Sequence, residues 1–93
     1  MTETQLLVGS LSNDLFRVAT LTQRGSHAAA SRFLKEAKRW AVPLQKHVVK
    51  NYIRWIAKEV SEKEGDEISL ALAERYLMYG VLLQNYSIHA TKR

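Results

Sequence analysis

The chain has 93 residues, no cysteine and a formal net charge of +5. That length suits one domain spanning 1–93, since two separate cores would each approach the size at which burial becomes marginal. A composition 46% hydrophobic and 25% charged is that of a folded globular chain, and the lack of cysteine excludes disulfide frameworks, thiolate zinc sites, iron–sulfur clusters and cysteine nucleophiles.

Met1 to Gln5 bears no basic cluster, and Leu6-Leu7-Val8 is too short for the core of a secretion signal, so a cytoplasmic setting is expected. Residues 1–5 read as frayed. A first helix is expected from about Thr4 to Gln23, where Leu7, Leu11, Leu15, Val18 and Leu21 recur at spacings of three and four. Its start stays open, because Gly9 weakens the first half and Ser12 or Asn13 has the chemistry of an N-cap. Arg24-Gly25-Ser26 reads as a stop and a restart, with Gly25 as a left-handed C-terminal residue and Ser26 as the next N-cap.

The second helix is expected over His27 to about Ala41. Ala29, Ala30, Phe33, Leu34, Ala37, Trp40 and Ala41 share one side, with Arg32, Lys35, Lys38 and Arg39 opposite. Proline disfavours helical geometry at the residue before it, so Val42-Pro43 is expected to turn and Pro43 to open a third helix reaching about Lys63. Its apolar stripe is Val49, Tyr52, Ile53, Ile56 and Val60. Lys46, Lys50, Arg54 and Lys58 form an i, i+4 ridge on the far side. Gly65-Asp66 ends it, with Asp66 as the cap of the next helix.

The fourth helix, Glu67 to about Tyr86, is apolar almost all the way round its axis. Such a helix is either central to a bundle or covered by another chain, and with three shorter helices to cover it a homo-oligomer is expected. Gly80 costs about 1 kcal/mol relative to alanine inside a helix, so its place there suggests a close helix approach. The expected oligomer interface is Tyr76, Tyr79, Gly80, Leu83 and Tyr86. Residues 87–93 read as a frayed tail. Tyr76 to Ala90 is the longest low-charge stretch, and it falls short of the roughly 20 apolar residues that span a bilayer. The fold class is therefore all-α, a compact bundle of about four helices that can dimerise.

Residue chemistry points away from catalysis. His27, His47 and His89 lie on three segments, and no pair has the i, i+4 spacing of a helical metal site. No serine sits in a G-x-S-x-G turn, and Gly9, Gly25, Gly65 and Gly80 are too scattered to cradle phosphate. Glu62, Glu64, Asp66 and Glu67 lack the ligand spacing of a calcium loop and read as a solvated acidic turn. No catalytic residue, metal or cofactor is expected. Trp40 and Trp55 sit at the edges of their stripes, as core or interface residues.

Charge is segregated along the chain. Arg24 to Lys58 holds nine bases against Glu36 alone, whereas Glu59 to Arg75 holds six acids against two bases. Arg32, Lys35, Arg39, Lys46, Lys50, Arg54 and Lys58 are the candidate partner-binding residues. They would form a basic two-helix face for an acidic protein surface or, alternatively, for nucleic acid. The Ala41-Val42-Pro43 link is not the glycine-containing turn of a helix-turn-helix, and no set of side chains for base readout stands out. The expected function is that of a non-enzymatic interaction or adaptor protein.

Leu11-Ser12-Asn13-Asp14-Leu15-Phe16-Arg17-Val18, Gln23-Arg24-Gly25-Ser26 and Leu77-Met78-Tyr79-Gly80-Val81-Leu82-Leu83-Gln84-Asn85-Tyr86 resemble segments of small helical proteins of unassigned function from cyanobacteria. The resemblance spans most of the chain. It implies a source and a cytoplasmic setting, and it transfers no functional residue.

Overall fold

The computed structural model describes residues 1–90, with backbone alone at His89 and Ala90. Four helices form among these residues, with no strand: α1 (Glu3–Gln23), α2 (His27–Leu44), α3 (Asn51–Glu62) and α4 (Leu70–Ala90). They pack into an elongated bundle with extents of 40 × 21 × 19 Å. The all-α expectation is met, while several helix limits differ from those read in the sequence.

α1 starts inside the segment read as frayed. Thr2 accepts from the Gln5 backbone N–H at 3.1 Å, and the Gln5 side chain accepts from the Thr2 N–H at 2.9 Å, a capping box that satisfies two orphan donors. Ser12 therefore lies well inside the helix. The far end closes as expected: Gly25 takes φ +85°, Ser26 N–H donates to Leu21 C=O at 2.8 Å and Gly25 N–H to Thr22 C=O at 3.0 Å. This Schellman pattern turns the chain without stranding the last carbonyls. Ser26 holds the N-cap position of α2, although its side chain makes no capping hydrogen bond.

The boundary at Pro43 is a correction. α2 runs through Pro43 to Leu44, and α3 begins only at Asn51. Proline near a helix C-terminus removes a single i→i−4 bond, which a helix can lose more easily there than in its middle. The chain then winds down through Lys46 N–H to Pro43 C=O at 3.0 Å and His47 N–H to Leu44 C=O at 3.1 Å. A second correction concerns α4, which begins at Leu70, where Ser69 rather than Asp66 accepts from the Leu72 N–H at 3.0 Å. Of the tail read as frayed, 87–90 is helical and 91–93 lies outside the described residues.

α1 is packed by both α2 and α4. α2 runs antiparallel to it, with Thr4 against His47, Asp14 against Trp40 and Arg17 over Phe33. α4 is antiparallel on another side, Ser12 Oγ donating to Gly80 C=O at 2.7 Å. At Gly80 a Cβ would lie 3.0 Å from the Phe16 ring, tighter than ordinary contact, so any larger residue would oblige that ring to shift. The close approach read from Gly80 is therefore made within one chain. α3 closes the bundle: Glu59 accepts from the Tyr79 hydroxyl at 2.8 Å and Arg75 at 3.1 Å, while Trp55 and Tyr52 meet Tyr79 and Tyr86 edge to face.

That packing draws the residues expected at an oligomer interface into the chain's own core. Tyr76, Tyr79, Gly80 and Leu83 are buried within the single chain, and Tyr86 is half-buried against the same core. Tyr76 is the largest fully buried side chain, and α2 contributes the small buried residues Ala30, Ala37 and Ala41 to the same core. Leu70, Leu77, Met78, Val81 and Leu82 of the same helix are left exposed.

The two glycines inside helices should respond in opposite senses. Gly9 has nothing within 4 Å of a built Cβ, so Gly9→Ala is expected to raise stability by up to about 1 kcal/mol through helix propensity. Gly80→Val is expected to cost about 1–3 kcal/mol by overpacking against Phe16. Chemical denaturation of both variants checks the pair.

Candidate basic interface

α2 supplies the better-defined part of the basic face. Arg32, Lys35 and Arg39 are all exposed. At 100° per residue they fall on one line with Ala28 and Val42, a line about 21 Å long at 1.5 Å per residue, and Lys46 follows in the turn after the helix. No acid lies on it. Glu36, the one acid of α2, is half-buried on the side where its charge acts on Asp14 of α1. Lys38 is also withdrawn from this line, since it is half-buried and donates to the Lys63 carbonyl at the end of α3.

The α3 part is less regular than an unbroken i, i+4 ridge. Lys46 lies in the turn after α2, Lys50 is the N-cap of α3, and Lys58 is exposed within α3. Arg54 has a structural role instead. Its guanidinium donates to Gln45 C=O at 3.3 Å, His47 C=O at 3.1 Å and Asn51 Oδ1 at 3.4 Å. It thus supplies donors to the α2–α3 connection, whose carbonyls have no helix to satisfy them. His47 pins the same connection from the other side through Nδ1 and Thr4 Oγ1, 2.7 Å apart. Of the seven candidate bases, six remain available to a partner.

The other polar groups are arranged for packing. Trp40 Nε1–H donates to Asp14 Oδ2 at 2.9 Å, so the indole at the edge of the α2 stripe points its one donor at a buried carboxylate. Burial raises the Asp14 pKa above its ordinary 3.8, the Trp40 bond opposes this, Glu36 adds to it, and exposed Arg17 at 3.8 Å opposes it again. The Tyr76 and Tyr79 hydroxyls are pushed up to about 12, by desolvation first and then by Glu59. Both phenols stay protonated at neutral pH. The Tyr76 hydroxyl and Thr22 Oγ1 are buried without a hydrogen-bond partner.

An open groove of about 950 Å³ lies between the start of α2 and the 63–69 connection, lined by His27, Ser31, Lys63, Asp66, Glu67 and Ser69 among others. Among the described residues no cluster of His, Asp and Glu could hold a metal ion, and no helix is long and apolar enough to cross a membrane. His27 is exposed, and the His89 side chain lies outside the described part. Sequence reasoning missed the exposed apolar row of α4, because nothing in that helix's own pattern tells its inward side from its outward one. Comparison with known proteins finds no matching protein family, no matching curated protein and no matching solved structure.

Arg54→Ala is expected to lower unfolding free energy by about 1–2 kcal/mol through the freed carbonyls, whereas Lys58→Ala stays within about 0.5 kcal/mol, both read by denaturant titration. Because the Asp14 pKa is raised, the folded chain binds its proton more tightly than the unfolded one, and stability falls as pH rises through the window above 3.8. Asp14→Asn keeps an acceptor for Trp40 and removes the charge. Its melting temperature is expected to exceed the parent's at pH 7, with the gap shrinking as pH is lowered into that window.

Proposed function

We propose that this protein is a non-enzymatic helical interaction module, working in the cytoplasm, that presents the basic outer line of α2 to an acidic protein surface. The observation that carries the reading is the acid-free exposed line Arg32, Lys35 and Arg39, followed by Lys46 and flanked by Lys50 and Lys58. Bases on any soluble helix face water, but here the one acid of the helix is half-buried beside Asp14 and Lys38 is tied back. Glu36 borders the line at i+4 from Arg32 and i−3 from Arg39, and the line carries a net positive potential.

A protein surface fits better than nucleic acid for two reasons. Arg54, the base at the middle of the α3 ridge, has its guanidinium committed to its own chain. The α2 line also contains Ala28 and half-exposed Val42, which match apolar atoms at the centre of a protein interface and have no counterpart along a phosphate backbone.

The test is affinity capture from native cell extract with the parent chain and with the triple variant Arg32→Glu, Lys35→Glu, Arg39→Glu. All three positions are exposed, so folding measured by circular dichroism should be preserved. The expected result is an acidic protein retained with or without nuclease, released by salt, and lost with the triple variant. Capture abolished by nuclease, or insensitive to the charge reversal, would contradict the proposal.

A further inference from the structure

The outer face of α4 leaves large apolar side chains in water. Leu70 is 65% exposed, Met78 56% and Val81 44%, with Leu77 and Leu82 close behind. Leu70, Leu77 and Val81 fall within about 40° of one another around the axis, and Met78 and Leu82 continue the surface toward α3. There it reaches Trp55, 59% exposed, and Tyr52, whose rings stand edge-on against Tyr79 and Tyr86. Tyr79 and Tyr86 are helical neighbours of Leu82 at i−3 and i+4, so the aliphatic row and the two rings form one patch.

We infer that this patch is the interface through which two copies of the chain pair about a twofold axis, with α4 against α4 in antiparallel sense. The area of the patch fits such a pairing. Five half-exposed aliphatic side chains of about 100 Å² each and two half-exposed rings of about 200 Å² each leave roughly 450 Å² of apolar surface. A standard stable interface takes about 800 Å² from each partner, a little over half of it apolar. The patch alone thus matches the apolar share of one side of such an interface.

Charge selects the occupant. The chain carries +5 overall, so two copies repel wherever their basic surfaces meet. Within α4 exposed Glu74 falls inside the face, at i+4 from Leu70 and i−4 from Met78, Arg75 on the α3 side is paired with Glu59 at 3.1 Å, and Gln84 and Asn85 are uncharged. The α4 part of the face thus carries an acid and a base already paired within the chain, and Lys58, i+3 from Trp55, is the exposed base at its α3 edge. A membrane-surface helix would instead be rimmed by lysine and arginine to meet anionic headgroups. An antiparallel arrangement also sets the positive end of each helix dipole beside the negative end of the other.

The pairing uses a different helix from the basic line of α2 and does not depend on it. Its test is sedimentation equilibrium of the full chain from micromolar to millimolar concentration, with Val81→Glu, Met78→Glu and, as an exposed apolar position off the α4 row, the control Val48→Glu. Val48 is 96% exposed outside the patch. The expected result is a concentration-dependent dimer whose dissociation constant rises at least about a hundredfold in Val81→Glu and Met78→Glu and is unchanged in Val48→Glu. Unaltered circular dichroism would show that each variant folds, and Met78, the more exposed position, serves if Val81→Glu does not. A parent chain monomeric throughout, a dimer indifferent to both substitutions, or a monomer that partitions onto lipid vesicles in place of self-association would each overturn the inference.

Discussion

The approach of α4 to α1 at Gly80 sets the rest of the arrangement. Ser12 donates to the Gly80 carbonyl at 2.7 Å, and the Phe16 ring lies 3.0 Å from where a Cβ would stand. A buried hydroxyl bonded at this point is worth more than its net hydrogen-bond energy, because any rotation of α4 would strand it without a partner. A helix apolar on all sides has little preference of its own about which side faces inward. Here a polar bond and a steric fit make that choice, and van der Waals contact along Ala73, Tyr76, Tyr79 and Leu83 results from it.

Once α4 is oriented, α3 has its docking site. Tyr79 is turned to meet Glu59 and Trp55, and Tyr86 to meet Tyr52, so a helix of only 12 residues is held by aromatic edges and a carboxylate as well as by Ile53, Ile56 and Val60. The connection from α2 into α3 leaves regular structure after Leu44, and Arg54 and His47 satisfy groups that a continuous helix would have satisfied internally. The basic outer line of α2 and the apolar outer face of α4 are then the two surfaces left without an internal role. They differ in charge, and so they suit different occupants.

Much of this was legible in the sequence where a residue has one physical role. Gly25 could only be a left-handed helix end, and the alanine and phenylalanine spacing of α2 defines its buried side without outside information. Gly80 marked a close approach, yet the sequence could not say whether the partner was another copy or another helix of the same chain. The inward set on α4 was accordingly assigned to an interface, whereas the structure places it in the chain's own core. Pro43 misled for a different reason. Its effect depends on how near it is to the helix end, and that end is set by packing against α1 and α3 rather than by proline itself. Arg54 is indistinguishable from a solvent-facing base until the carbonyls of Gln45 and His47 are seen beside it.

The orientation of α4 is open to direct measurement because the chain has no cysteine of its own. Single cysteines at Val81 and Leu83, two residues apart on opposite sides of the helix, can be timed for modification by a thiol reagent at low protein concentration. The account predicts rapid labelling of Val81→Cys and labelling of Leu83→Cys only at the rate of unfolding. Equal rates, or faster labelling at position 83, would contradict it.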